Sequence, residues 1–416
     1  MQTHLSPEFK NTPEGEESEA ILRKCVHCGF CNATCPTYQL LGDELDGPRG
    51  RIYLIKQVLE GAEVSRSTQL HLDRCLTCRN CETTCPSGVQ FGSLIDIGRR
   101  LVEQRVERPM GQRTLRWLLK EFLTSWGFTP AMRIARQLRP LLPEALRRKV
   151  PKAAGPRTEP TRTRAAPRPM REQPRKVLLL AGCVQPAMMP NINGATARVL
   201  DAAGIQTVVA DGGCCGALRL HLADHAGGLA DMRRNIDAWW PTIAAGQIEA
   251  IVSNASGCSV TVKEYGHALR NDPAYADKAL RVSALARDLS ELLPDLARSL
   301  KARIRTGVSQ RLAFHSPCSL QHGQRLRGLV ETHLGDLGFE IKTAAAESHL
   351  CCGSAGTYSV LQPALAIQLR DRKLEQLEAL GVPCIVSANI GCIQHLQSGT
   401  ATRVAHWIEV LDEAIV

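Results

Sequence analysis

The sequence predicts a multidomain chain of mixed α+β and α/β class. It should hold a mainly helical cysteine-rich module, a helical connector, a basic linker and two tandem α/β repeats. Three observations carry this expectation. A Cys-x2-Cys-x2-Cys-x3-Cys-Pro run occurs twice, at 25–36 and 75–86. Residues 151–176 contain six Pro and no apolar periodicity. The triplet Cys-Cys-Gly occurs at 214–216 and 351–353, each time within the same alternation of apolar strand-like and helical segments. The expected boundaries are 1–98, 99–150, 151–176, 177–305 and 306–416.

The bulk properties limit the function classes. With 416 residues, 44% of them apolar, the chain can bury two or three cores. Only 4% of residues are aromatic, which argues against a carbohydrate or base-stacking surface. The 17 cysteines sit in tight clusters, which is ligand spacing rather than disulfide spacing. The first twenty residues are polar and acidic, unlike a signal peptide, and the apolar runs are too short to span a bilayer. The expected location is therefore the reducing cytoplasm, with any membrane contact peripheral or through a partner. Of the net charge of +10, residues 151–176 contribute eight Lys/Arg against two Glu. The basic character is mostly a linker property, and no nucleic-acid motif accompanies it.

Within the first module the two cysteine runs begin 50 residues apart, at Cys25 and Cys75. Between them, residues 51–61 read as a helix with Ile52, Ile55 and Leu59 on one face and Gly61 as its stop. Residues 99–150 read as amphipathic, basic helices broken by Pro130, Pro140 and Pro143, with Leu115, Leu118, Leu119 and Phe122 at helical spacing and Trp117 and Trp126 nearby. The plain expectation is a connector packed on its neighbours; the alternative is a surface for a partner or a membrane interface.

From Lys176 onward, strands are expected at 176–183, 206–211 and 250–256, with helices at 193–203 and 220–240. In the second half, strands are expected at 311–316, 339–344 and 383–389, with a helix at 364–380. A lone cysteine ends the first strand of each half, Cys183 and Cys318. The segment Ile-Val-Ser-Asn-Ala-Ser-Gly-Cys (251–258) matches Ile-Val-Ser-Ala-Asn-Ile-Gly-Cys (385–392). The offsets of 135, 137 and 134 residues between the cysteine landmarks mark a tandem duplication.

The chemistry follows from the spacing. The Cys-x2-Cys-x2-Cys-x3-Cys-Pro run is the bacterial ferredoxin arrangement for [4Fe–4S] clusters, in which the fourth cysteine serves the other cluster. The expected ligands are Cys25, Cys28, Cys31 and Cys85 for cluster one. Cluster two takes Cys75, Cys78, Cys81 and Cys35. Structural zinc usually splits its ligands into two pairs across a longer loop, which this pattern does not do. His27 reads as a loop residue beside a complete thiolate set. In the repeats, Cys183, Cys214, Cys215 and Cys258, and then Cys318, Cys351, Cys352 and Cys392, should converge at the carboxyl ends of parallel strands. Each set is a candidate site for a further cluster or zinc, or else an array of buried free thiols. Gly216 and Gly353 should mark tight turns. His315 and His349 lie near the second set, His322 is open between surface and pocket lining, and Cys384 reads as core. No Gly-x-Gly-x-x-Gly follows a strand and there is no P-loop, so neither flavin nor NAD is expected in this chain.

These motifs resemble the iron–sulfur subunit of glycolate oxidase. The similarity runs through Cys-Val-His-Cys-Gly-Phe-Cys-Asn-Ala-Thr-Cys-Pro (25–36), Asp-Gly-Pro-Arg-Gly-Arg (46–51), Cys-Leu-Thr-Cys-Arg-Asn-Cys-Glu-Thr-Thr-Cys-Pro (75–86), His315-Ser-Pro-Cys318 and His322-Gly-Gln324. The resemblance implies flavin-containing partner subunits that oxidise glycolate to glyoxylate. This chain would relay their electrons toward membrane quinone at the inner face of the cytoplasmic membrane, without transmembrane segments and without glycolate oxidation by itself. Iron–sulfur subunits of lactate and anaerobic glycerol-3-phosphate dehydrogenases share the architecture. The catalytic subunit of heterodisulfide reductase shares the repeats, but there each ends in Cys-x-x-Cys. Here Ala255 and Asn389 stand three residues before Cys258 and Cys392, which argues against a five-thiolate cluster and a disulfide-reducing activity.

Overall fold

The computed structural model describes residues 1–147, 149–151, 172–305 and 311–415. The linker expected over 151–176 falls largely outside these residues.

The first module is helical. Helix α1 (Pro13–Lys24) starts on Thr12, whose side chain accepts from the Gly15 N–H, with Pro13 in its first turn. The helix expected at 51–61 begins three residues earlier, as α2 (Pro48–Leu59), because Pro48 suits a first helical position. It buries Ile52, Ile55 and Leu59 as expected. Helix α3 (Arg66–Asp73) is capped by Ser65. Helix α4 (Phe91–Arg105) runs unbroken through residue 98. Gly98 lies where α4 crosses α2: a Cβ there would stand 2.6 Å from Ile55 Cγ1. One core joins Phe9, Leu22, Ile55, Leu59, Leu94 and Ile95 with Cys25, Cys75 and Cys81.

The connector is helical, as α5 (Met110–Thr124) and α6 (Phe128–Gln137). Its expected packing holds for α6, which buries Phe128 and packs on the short helix Gln185–Met188, but not for α5, which buries no residue; Trp126 between them is 91% exposed. Ion pairs hold α5 instead, Arg116 to Asp73, Lys120 to Asp224 and Glu121 to Arg219.

Each repeat is a four-stranded parallel sheet with one common strand order. In the first, β1 (Arg175–Leu179) lies between β2 (Ile205–Val208), at one edge, and β3 (Ala250–Ser253), and β4 (Ala286–Asp288) forms the other edge. In the second, β5 (Arg311–His315) lies between β6 (Glu340–Lys342), at one edge, and β7 (Cys384–Ser387), with β8 (Arg403–His406) at the other edge. The central strands are buried on both faces, which is why they read as unbroken apolar runs. The edge strands β4 and β8 were not expected: Ala-Arg-Asp and Arg-Val-Ala-His carry no such run.

The main helices of the repeats are α7 (Pro190–Ala202), α8 (His225–Ala244), α9 (Ser256–Lys263), α10 (Pro363–Glu378), α11 (Ile390–Gln397) and α12 (Trp407–Ala414). The single helix expected at 220–240 is interrupted. A short helix, Ala217–His221, ends before Ala223, which takes a left-handed φ of 62°, and Asp224 then caps α8 through the Gly227 N–H. The two repeats share one core, in which Val177, Val199 and Val252 pack with Leu312, Ile385 and Trp407. Across this contact α7 packs on α12, and Arg198 pairs with Asp412 at 2.6 Å.

Candidate iron–sulfur centres

The cysteine runs are bent by left-handed residues in matching places. His27 (φ 56°) and Gly29 (φ 85°) turn the first run, and Thr77 (φ 52°) and Arg79 (φ 59°) turn the second. Such turns, strained for non-glycine residues, bring three thiols to one side of each loop. Arg79 is held there by ion pairs to Glu82 and Glu264. The fourth cysteine leaves in the opposite sense. Cys35 and Cys85 are extended, as residues before proline must be, and Pro36 opens the next helix.

The result is two thiol quartets. Cys31 is flanked by Cys25, Cys28 and Cys85; burial, then the neighbouring thiols, pushes it up to about 11. Cys81 is flanked by Cys78, Cys75 and Cys35, and burial raises it well above the ordinary thiol value. Each quartet holds three cysteines of one run and the last of the other. The first quartet lines a small cavity at the surface, where Cys28 is exposed between the exposed apolar side chains of Val26 and Phe30. Both quartets are all-sulfur, the donor set that iron–sulfur clusters take as thiolates.

Beside the second quartet lies a buried charge network that the spacing did not reveal. Arg51 is 1% exposed and donates to the His71 carbonyl at 2.8 Å, to Thr37 Oγ1 at 3.2 Å and toward Cys35 Sγ at 3.9 Å. Asp46, fully buried, receives Arg51 at 3.4 Å and Arg74 at 2.7 Å. The segment Asp46-Gly-Pro-Arg-Gly-Arg51 thus sets a fixed cation against the thiols of this quartet. Positive charge there favours thiolate and offsets the negative charge of an occupied site.

In the repeats, Cys183 and Cys318 follow β1 and β5, and the Cys-Cys pairs follow β2 and β6. Cys258 and Cys392 sit one turn further on than expected, in the first turns of α9 and α11. The turn after each pair needs glycine. Gly216 has φ +92° and a Cβ there would stand 2.8 Å from the Gly228 carbonyl; Gly353 has φ +86° and 2.6 Å to that of Ala366. Cys214 is in contact with Cys183 and Cys215, and Cys215 with Cys258. Hydrogen bonds from Cys183 and Cys215 hold Cys214 low and push its partners up. In the second repeat Cys318 meets Cys351, Cys351 meets Cys352, and Cys352 meets Cys392.

The second set is also joined to the first module. Cys318 meets Cys78, and both pack with Leu76, Cys351 and Tyr358 in one apolar cluster. His322 is neither surface nor pocket lining but a buried bridge: its Nδ1 lies 2.8 Å from Thr83 Oγ1, and its Nε2 donates to the His349 carbonyl at 2.9 Å. His315 reaches Cys352 and Cys392, whereas His349 contributes this carbonyl. Cys384 is core, as expected. A cavity of about 2180 Å³ is lined by Cys75 and Cys78 and by every cysteine of the repeats except Cys384.

Replacing Arg51 with Met should destabilise the protein by about 3 kcal/mol, because Asp46 is left buried with Arg74 as its remaining cation. Denaturant unfolding of the anaerobic protein measures this. An unchanged midpoint would assign the charge balance to Arg74 alone.

The comparisons agree with this organisation. Residues 21–89 match the 4Fe-4S dicluster domain, and residues 177–263 and 312–397 each match the cysteine-rich domain. The chain is 55% identical to the glycolate oxidase iron-sulfur subunit of Escherichia coli (strain K12), over 100% of this chain and 99% of that one. It is 29% identical to a Bacillus subtilis (strain 168) protein described as "Probable glycolate oxidase iron-sulfur subunit", over 99% and 97% of the two chains. A solved structure of a hypothetical protein from Helicobacter pylori has a similar fold, with a TM-score of 0.56 at 11% identity over 97% of this chain and 72% of that one. With two thiol quartets, a duplicated Cys-Cys-Gly domain and this full-length identity, the chain belongs to the family of glycolate oxidase iron–sulfur subunits.

Proposed function

We propose that this chain is the one-electron relay of a glycolate oxidase complex, taking electrons from a flavin-containing subunit and delivering them toward a quinone-type acceptor. The observation that carries the reading is the pair of thiol quartets packed on the core of the first module, the first with Cys28 exposed at the surface and the second with Cys75 and Cys78 facing the cavity shared with the repeats. Cys25, Cys28, Cys31 and Cys85 hold one [4Fe–4S] cluster, and Cys75, Cys78, Cys81 and Cys35 the other. Such clusters supply single-electron transfer with no open iron for a substrate. The residues around them have complementary tasks. Val26 and Phe30 give the first quartet an apolar rim for the flavoprotein partner, while Arg51 and Asp46 fix the charge beside the second. A further metal or cluster belongs to the thiols of the repeats.

The attachment we infer is peripheral. Among the described residues no helix is long and apolar enough to cross a membrane. Residues 110–147 instead expose Met110, Trp117, Leu118, Phe122, Trp126, Ile134 and Leu141. Over 110–151 the sequence carries nine Lys/Arg against two Glu. Apolar and tryptophan side chains beside basic charge suit the interface of an anionic bilayer.

Four outcomes test this reading. Anaerobically purified chain should contain at least about eight iron atoms, four per quartet. Cys35→Ser should remove the cluster of Cys75, Cys78 and Cys81; selective loss of the other by EPR would refute the crossed ligation. The chain alone should reduce no dye with glycolate, and adding the flavoprotein subunits should restore the reaction. Glycolate oxidation by the isolated chain would overturn the relay. Finally, the chain should float with vesicles containing anionic phosphatidylglycerol. Trp126→Ser with Leu141→Ser should weaken this at least about thirtyfold, at roughly 1 kcal/mol or more per interfacial side chain removed. Equal flotation of the variant would place the contact elsewhere.

A further inference from the structure

The two repeats are alike in strand order and cysteine placement but differ at the end of their first strands. Three residues before Cys318 stands His315; three before Cys183 stands Leu180. His315 is 2% exposed, and a ring nitrogen lies within 4.8 Å of the sulfurs of Cys352 and Cys392. Its Nε2 is buried without a hydrogen-bond partner. Leaving such an atom unpaired costs about 1–3 kcal/mol, so a neutral imidazole aimed among thiols needs an occupant to meet it. Asn389 stands where a Cys-x-x-Cys pair would begin, and its Nδ2 lies 3.6 Å from Cys392 Sγ. The fifth donor in reach is therefore the imidazole. Lys373, 3% exposed, faces Cys318, Cys351 and Cys352 and supplies a buried cation against a set of thiolates.

We infer that the second repeat is a mixed imidazole–thiolate iron–sulfur site, in which His315 is a ligand alongside Cys318, Cys351, Cys352 and Cys392. Five donors exceed the four that structural zinc takes. The contact of Cys318 with Cys78 joins the site to the second quartet, so the inference rests on the relay reading for its role but not for its ligands. The first repeat, with Leu180 in place of the imidazole, has no counterpart to this nitrogen.

The experiment uses the full chain, purified anaerobically from cells fed 15N-histidine, then reduced and examined by pulsed EPR alongside iron and zinc analysis. The expected result is iron above about eight per chain and a directly coordinated histidine 15N coupling. His315→Cys should keep the iron and lose that coupling. His315→Leu, which copies the first repeat, should lose the iron in excess of the two quartets. Circular dichroism of both variants separates ligand loss from misfolding, and the cysteine variant carries the test if the leucine variant misfolds. Excess iron without histidine coupling, a coupling that survives in His315→Cys, iron of about eight in the wild type, or stoichiometric zinc would each overturn the inference. Iron well below eight, with the quartets themselves empty, would overturn the relay reading as well, so the two failures read differently.

Discussion

Buried sulfur has to be reconciled with charge, and much of this structure follows from that requirement. Thiols that ligate metal do so as thiolates, and burial opposes the ionised form. The raised values of Cys31 and Cys81 express this opposition. Compensation comes from specific places: Arg51 beside Cys35, and Lys373 beside the second repeat's thiols. Arg51 is itself tied to Asp46, the His71 carbonyl and Thr37, so the cation cannot retreat to solvent. The local backbone obeys the same demand, since left-handed residues at 27, 29, 77 and 79 turn three sulfurs inward at once.

The parts of this arrangement that are local in sequence were legible there. Ligand spacing within a run of twelve residues names the cysteines, and the proline after the fourth explains why that residue turns away. The duplication was visible because strands buried on both faces repeat as apolar runs. Strands β4 and β8 were not visible, because Ala-Arg-Asp and Arg-Val-Ala-His are short and carry charge, unlike the edge strand β2 on the far side of the first sheet. Contacts between distant segments were also hidden. Nothing in the letters brings Cys78 to Cys318 or Thr83 to His322. Arg51 could be quoted as part of a motif, but its burial and partners depend on where α2 crosses the module. Helix α5 of the connector misled in the opposite direction: its periodicity suggested a packed face, but none of its residues is buried.

The two repeats illustrate how one scaffold can hold two different environments. Both have glycine after the cysteine pair for the same steric reason, and both bring four thiols to the carboxyl ends of parallel strands. They differ in what surrounds the sulfurs. Around the second set stand His315, Lys373 and the first module; around the first, Leu180 packs with Cys215 and Ile251. The difference lies in side chains at strand ends, where substitution leaves the sheet itself untouched.

The shared core of the repeats bears on how such a difference can persist. Because Val177 and Val199 pack with Leu312 and Trp407, and Arg198 pairs with Asp412, neither copy completes its interior without the other. A duplicated segment that had become chemically idle would therefore still be needed as a wall of its twin. Selection for folding alone would retain both copies while leaving the loops above each sheet free to drift apart. On this view the duplication is a mechanical dependence that outlives chemical redundancy, and each half can change its ligands without risk of being deleted.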